Sequence, residues 1–459
     1  EDATSFLLDL PGKPVGKRGS RLASGQAHVR ETLAAAMAFV ALEHHPDSTN
    51  LVDPFCGSGT LLLEAGQLGA PIAPALARSS FSFQHRAGCP ATLWDTLRQE
   101  AETARLPEPP FLLKGFDADE RRIREAGENA RRAGLEGAIH LERRELARLK
   151  GRDLGDKGLI LTNPPWGERL EERGVASALH SGLARICASR APGVPVVVLG
   201  SDVEVLDRLG ATPELHMRLR NGPLTNFIRI VTPQRRSVPV PLTAAEPAFE
   251  VPDEATAFVN RLRKNARQLK RWREQEQVSA YRLYDRDLPD FNFSVDIYAD
   301  QVLMQEYKAP KTVDPEMVEK RRHWAVSAVR SVLGAHREQV HLRTRMQQKG
   351  RSQYNKLGQR KQMHVVAEGE AWFLVNLQAY LDSGLFLDHR PIRLRLAQES
   401  AGKRFLNLFA YTGSATVHAA LGGARSSVTV DASRTYLGWA GENLALNGFG
   451  TRHHRLESG

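Results

Sequence analysis

The sequence predicts an α/β chain of the doubly wound kind, in which the order strand, glycine loop, helix occurs twice. Three observations carry this. The apolar Leu51-Val52 leads through Asp53-Pro54-Phe55-Cys56-Gly57-Ser58-Gly59-Thr60 into the helical-looking Leu61-Leu62-Leu63-Glu64-Ala65. Phe405-Leu406-Asn407-Leu408-Phe409-Ala410-Tyr411-Thr412-Gly413 leads in the same way into Ser414-Ala415-Thr416. Each loop is followed by a strand that ends in an acid, Phe111–Asp117 in the first case and Ser427–Asp431 in the second.

In the first loop Gly57 and Gly59 let the backbone come close to a ligand, and the helix behind offers free N–H groups. A phosphate loop needs a lysine after the last glycine, and Thr60 stands there instead. The amino-acid end of S-adenosylmethionine (SAM) fits better. Asp53 and Phe55 belong to the same cradle, and Asp117 stands where a carboxylate can accept both ribose hydroxyls, as in dinucleotide sites.

A further apolar run, Gly158–Thr162, reads as a buried parallel strand and ends in Asn163-Pro164-Pro165-Trp166. Two prolines in succession have no N–H to donate, so the carbonyls there are free. The Asn163 amide oxygen and the Pro164 carbonyl then suit the two hydrogens of an exocyclic amine, and Trp166 suits the ring that bears it. Such a clamp favours an amine whose nitrogen gives up its lone pair to a methyl group, without a strong base. A proline-rich turn closing a strand is the plain alternative.

With these motifs in order, residues 1–230 resemble the guanine-N2 methyltransferase half of the bifunctional bacterial 23S ribosomal RNA methyltransferases, the RlmKL family. The matching pieces are Asp9-Leu10-Pro11-Gly12, Lys17-Arg18-Gly19, Arg30-Glu31-Thr32-Leu33-Ala34-Ala35, Asp53 to Leu62, and Asn163 to Leu170. The family more often has Tyr where Trp166 stands; Trp keeps the stacking face and lacks the hydroxyl. The stretch from Gly57 to Asp117 is longer than a minimal crossover needs, and an insertion around Ala73–Pro110, a trait of the family, accounts for it. The resemblance places Glu145 near the adenine amine, where such enzymes usually carry Asp.

The second half resembles the guanine-N7 half of the same enzymes, over Ser383–Arg390 and Asn407–Asn443. The resemblance implies that Asn407, Phe409, Tyr411, Gly413 and Asp431 bind SAM there. It also implies an RNA-binding THUMP domain before residue 1 and more of the second domain after Gly459. On that expectation the second site binds SAM weakly or not at all and gives no N7 product.

The linking region differs in character. Residues 231–252 hold Pro233, Pro239, Pro241, Pro247 and Pro252 with little periodicity, which predicts an extended linker. From Arg261 to Arg273 there are seven basic residues and no acid, with Leu262, Ala266, Leu269 and Trp272 at helical spacing. An amphipathic helix results, and Lys264, Arg267, Lys270 and Arg271 on its outer face suit RNA phosphates or simply solvent. Val340–Met346, Gln362–Glu368 and Ala371–Gln378 read as strands. Between the first two, Arg351, Tyr354 and Lys356 combine charge with an aromatic, as phosphate contact and base stacking need, and as a polar hairpin tip also would. In the turn Asp388-His389-Arg390, the last two residues either reach ligand or join a structural network.

The fold class is therefore α/β. A class I SAM-dependent methyltransferase (Rossmann-like) domain covers 1–230 and a Pro-rich linker 231–260. A basic helix with a small β-rich α+β module covers 261–400, and the first part of a second Rossmann-like methyltransferase domain covers 401–459. A net charge of +10 favours polyanion partners, here ribosomal RNA. Cys56, Cys89 and Cys187 lack metal-site or disulfide spacing, so no metal is expected, and Cys56 reads as a packing residue rather than a nucleophile. No apolar run nears the ~18 residues of a membrane span, and cytoplasm is the default location. DNA adenine-N6 and protein-glutamine methyltransferases share the Asn-Pro-Pro-aromatic chemistry, and a non-catalytic RNA-binding assembly factor is a third reading.

Overall fold

The computed structural model describes residues 29–459 except 75, 77, 79, 87, 89, 166–171, 222–223, 235–250, 309–312, 346–361 and 381. Trp166, Arg351, Tyr354, Lys356, Cys89, the pieces Asp9–Gly12 and Lys17–Gly19, and most of the Pro-rich stretch thus lie outside the described residues. The chain divides into two compact units, one built on residues up to 235 and one on residues 236–447 with 453–459.

The first unit is a seven-stranded sheet. Its strands are β1 (Asn50–Asp53), β2 (Leu112–Asp117), β3 (Ile139–Arg143), β4 (Gly158–Thr162), β5 (Val196–Gly200), β6 (Leu215–Asn221) and β7 (Leu224–Val231). They lie in the order β3-β2-β1-β4-β5-β7-β6, with β7 antiparallel to both its neighbours and the rest parallel. Every residue of β4 and β5 is buried, as a continuous apolar run covered on both faces requires. Leu51, Leu159, Leu161, Val197, Leu199, Ile228 and Ile230 form the core with Met37 from helix Glu31–His44 and Leu62 from helix Thr60–Gly69. The strand order reverses between β1 and β4, so Asp53 and Asn163 leave neighbouring strands at the carboxyl edge, where such sheets bind ligands. The insertion forms helix Ala91–Thr103 and a short 3₁₀ turn, held by Phe81, Phe83 and Trp94 with ring centroids 5.1–5.3 Å apart.

In the second unit β8 (Ala280–Asp285), β9 (Phe293–Tyr298) and β10 (Gln301–Tyr307) run antiparallel, and β11 (Val340–Arg345) joins β10 in parallel. Helices Thr256–Gln275 and Pro315–Leu333 pack on this sheet through Phe258, Leu262, Ala325, Val329 and Val332. The basic helix therefore begins before Arg261, because Phe258 and Val259 extend its apolar stripe by a turn. β12 (His364–Glu368) and β13 (Ala371–Val375) make an antiparallel hairpin, and β14 (Arg404–Leu408), β15 (Ser426–Asp431) and β16 (His454–Ser458) a parallel sheet.

The open edge of β13 is closed by side chains of helix Arg434–Leu446 and the residue after it. Trp439 Nε1 donates to the Leu374 carbonyl at 3.0 Å, Asn443 Oδ1 accepts from Leu374 N at 2.9 Å, and Asn447 pairs with both backbone groups of Trp372. Side chains four residues apart along one helix face thus stand in for a neighbouring strand.

Beneath the hairpin Glu368 is 1% exposed and accepts bonds from Arg390 Nε (2.7 Å), Arg393 Nε (2.8 Å), Arg393 Nη2 (2.7 Å) and His418 Nε2 (3.0 Å). Burial alone would raise its pKa, but the bonds from His418 and Arg393 outweigh this and hold the carboxyl well below the usual range. Arg390 also lies over the Trp272 ring, 5.4 Å from its centroid. Its role is structural, which settles one of the two readings left open for Asp388-His389-Arg390, while His389 is exposed. Glu368→Ala strands the buried Arg393 charge and should cost about 3–5 kcal/mol in urea unfolding. Glu399→Ala, which breaks the exposed Arg395–Glu399 pair, should leave stability nearly unchanged. Equal effects would show that Glu368 is not the anchor of this unit.

Candidate functional site

The first loop hangs from the ends of β1 and β2. Cys56 N donates to the Phe116 carbonyl at 2.9 Å and Gly57 N to Asp117 Oδ2 at 3.0 Å, while Asp117 Oδ1 takes Asp119 N at 2.8 Å. Gly59 sits at φ +84°, and a Cβ there would meet Ala126 Cβ at 3.2 Å, so both conformation and space call for glycine. The first turn of helix Thr60–Gly69 then starts from the loop with its N–H groups unbonded inside the helix.

Asp53 is almost fully buried, and its Oδ1 accepts from Phe55 N (3.0 Å) and from Thr162 Oγ1 (2.7 Å) across to β4. Burial dominates and pushes its pKa up to about 7, against the lowering effect of those two bonds. Burial also raises Asp117, opposed by the Gly57 bond. Two carboxyls at neighbouring strand ends beside a glycine loop suit a ligand with both a cationic end and hydroxyls. Cys56 packs rather than reacts: it is 5% exposed, and burial pushes its thiol well above the usual value.

At the end of β4, Asn163 is half-buried, but its Oδ1 is inaccessible to solvent and has no hydrogen-bond partner among the described residues. Pro164 is buried and Pro165 exposed. A buried amide acceptor left unmade is costly, and this one stands at the carboxyl edge of the sheet. Glu145 lies half-buried just past the end of β3, at the same edge of the sheet.

The second loop repeats the first. Ala410 N donates to the Val430 carbonyl at 3.0 Å, Tyr411 N to Asp431 Oδ2 at 2.8 Å, and Ser433 N to Asp431 Oδ1 at 2.8 Å. Gly413 has φ +71°, and a Cβ there would lie 2.8 Å from Ala440 Cβ. Phe409 and Tyr411 also take positive φ, and Phe409 is 95% exposed. Asn407 turns inward, where its Nδ2 donates to Thr416 Oγ1 at 3.0 Å. Thr416 lies in the helix that follows the loop.

Two residues escaped the sequence reading. Asn129 Nδ2 donates to the Ser58 carbonyl at 3.0 Å, and Asn443 Nδ2 to the Thr412 carbonyl at 2.9 Å. The signal was available: each asparagine follows its strand-end acid, Asp117 or Asp431, by the same number of residues. Thr162 was missed as well, being adjacent to the more conspicuous Asn163. On the basic helix, Arg263, Lys264, Arg267, Lys270 and Arg271 are exposed and make no ion pair among the described residues. Among those residues no cluster could hold a metal ion, and no helix is long and apolar enough to cross a membrane.

Residues 18–225 match the family described as RMKL-like, methyltransferase domain, and residues 281–456 the family described as S-adenosylmethionine-dependent methyltransferase. The ribosomal RNA large subunit methyltransferase K/L of Alcanivorax borkumensis is 55% identical over 452 residues, covering 98% of this chain and 64% of that protein. The protein of the same name from Desulfotalea psychrophila is 42% identical over 465 residues, covering 98% and 63%. The chain thus spans just under two thirds of the length of these relatives. A solved structure, a possible methylase from Clostridium difficile 630, is 30% identical over 50% of this chain and 58% of its own, with a TM-score of 0.45.

The Asp53 shift sets a pH dependence. The folded state binds this proton more tightly than the unfolded one, so the group's stabilising contribution is full below about pH 4 and is lost as pH rises to about 7. The limiting slope is about 1.4 kcal/mol per pH unit. Asp53→Asn should abolish that component, so the stability difference between wild type and variant should change across this window and be flat above it. Parallel curves from pH 4 to 8 would show an unperturbed carboxyl.

Proposed function

We propose that this chain, a relative of the ribosomal RNA large subunit methyltransferases K/L with two SAM-dependent methyltransferase domains, methylates through its first domain the exocyclic N2 of a guanine in 23S ribosomal RNA. The observation that carries this is the buried, unpartnered Asn163 Oδ1 at the carboxyl end of β4. An acceptor there, beside the carbonyl of Pro164, suits an NH₂ group and neither a thiol nor a carboxylate.

SAM, when bound, supplies a methyl group activated on a positively charged sulfonium. The carboxyls of Asp53 and Asp117 and the loop ending at Gly59 orient it. Asn163 and Pro164 accept the two amine hydrogens and turn the nitrogen lone pair towards the methyl carbon. As the N–C bond forms and the S–C bond breaks, positive charge grows on nitrogen, and the two oxygens stabilise it in place. The surplus N2 proton then leaves to water, so no strong base is needed. Trp166 stacks on the guanine, which must leave its helix to enter the site.

The second domain is of the guanine-N7 type, with Gly413 and Asp431 at its cofactor loop. RNA is held in part by the outer face of helix Thr256–Gln275. Five exposed cations there, without acidic partners among the described residues, offer a sequence-independent phosphate surface. Arg351, Tyr354 and Lys356, outside the described residues, are further RNA contacts on the strength of the sequence alone.

Nucleoside mass spectrometry of 23S ribosomal RNA treated with this chain and SAM should reveal N2-methylguanosine. Asn163→Ala should leave SAM affinity nearly unchanged and slow transfer by on the order of 10²-fold, because the missing bonds matter chiefly in the transition state. Near-normal turnover would mean that something else orients the amine. Neutralising Lys264, Arg267, Lys270 and Arg271 together should weaken RNA binding and flatten its salt dependence by roughly one unit of slope for each phosphate no longer neutralised. An unchanged slope would place the RNA elsewhere.

A further inference from the structure

We infer that Asn129 and Asn443 are positioning residues for the cofactor, each clamping the peptide that precedes the left-handed glycine of its loop. The inference rests on both loops belonging to SAM-dependent domains.

The peptide joining Ser58 to Gly59 is held on both edges. Its carbonyl accepts from Asn129 Nδ2 at 3.0 Å, and its N–H, on Gly59, donates to the Cys56 carbonyl at 2.7 Å. The peptide joining Thr412 to Gly413 is held identically, by Asn443 Nδ2 at 2.9 Å and by the Ala410 carbonyl at 3.0 Å. Glycine on the C-terminal side makes rotation of such a peptide inexpensive, because no Cβ obstructs it. A half-turn would set the Ser58 oxygen against the Cys56 oxygen, and the loop would have to open. The N–H groups of the following helix turn, which the cofactor needs in one fixed place, would move with it.

The two loops otherwise differ, Cys-Gly-Ser-Gly against Ala-Tyr-Thr-Gly. They share the strand-end acid, the glycine, an alanine facing it and the asparagine. Both asparagines are buried, at 2% and 0% exposure. For Asn443 the orientation of the amide follows from its neighbours, since Oδ1 accepts Leu374 N at 2.9 Å and Nδ2 must therefore face Thr412. A neutral donor of that length is required: alanine lacks it, and aspartate presents an acceptor to a carbonyl.

The test is calorimetric titration of the whole chain with SAM and with S-adenosylhomocysteine, read on the site that Asp117→Ala removes. Asn129→Ala and Asn129→Asp should each weaken both ligands by about tenfold or more, alike for the two because the loop does not distinguish the methyl group. Leu135→Ala, in the core away from the loop, serves as the control for reduced stability. It should leave both affinities within about twofold at an equal or greater fall in melting temperature. If the alanine variant does not fold, the aspartate variant, of the same shape, decides the matter. Wild-type affinity in a folded Asn129 variant overturns the inference, as does an equal loss in Leu135→Ala. Absence of any SAM binding by the wild type would instead remove the cofactor reading on which it stands.

Discussion

One hydrogen bond governs where each glycine loop stands: a loop N–H donated to the acid that ends the neighbouring strand. Gly57 to Asp117 and Tyr411 to Asp431 are the two instances. The bond is made to a carboxylate, and such charge-assisted bonds are roughly twice as strong as neutral ones. It fixes the loop against β2 in one unit and β15 in the other. The left-handed glycine, the facing alanine and the buried asparagine follow from that placement, since all crowd around the same turn of chain. Two loops that differ in sequence reach one geometry through these same contacts.

The two units use different means to hold what surrounds these loops. In the first, apolar burial suffices: β4 and β5 are buried throughout, and the polar side chains that end β1 and β4, Asp53 and Thr162, bond to each other. In the second, a hairpin with an open edge has to be joined to a helix. Backbone groups of Trp372 and Leu374 are met by Trp439, Asn443 and Asn447, and Glu368 gathers Arg390, Arg393 and His418 below. Such polar joints add less net stability than apolar packing of equal size, but they admit one arrangement only, because a slip would leave buried charges unpaired. Asn443 takes part in both the joint and the second glycine loop, so one side chain couples the position of the hairpin to the shape of the loop.

The charge on the chain is distributed according to task. Arginines at the hairpin joint are buried and paired, whereas Lys264, Arg267, Lys270 and Arg271 stand outward from a helix whose inner face is Phe258, Val259 and Leu262. Cations spaced along a rigid helix lose little further freedom on meeting a polyanion, which suits them to phosphate contact better than the same charges on a loop.

Much of this was legible without coordinates. Period-two and period-3.6 patterns, glycine loops and strand-end acids are local, so the α/β class, both loops, the Asn163 edge and the basic helix could be read in order along the chain. What could not be read are partners far apart in sequence. Arg390 is 110 residues from the carbonyl of Ala280 it contacts and 22 from Glu368, and nothing near it distinguishes a buried anchor from a ligand arginine. Asn129 is 71 residues from Ser58, and although its spacing from Asp117 matches that of Asn443 from Asp431, the carbonyl it meets is set by the packing of its helix against the loop. The shift of Asp53 has the same origin. Its position in the motif was evident, but its pKa depends on how completely neighbouring strands exclude water, and that is a property of the assembled sheet.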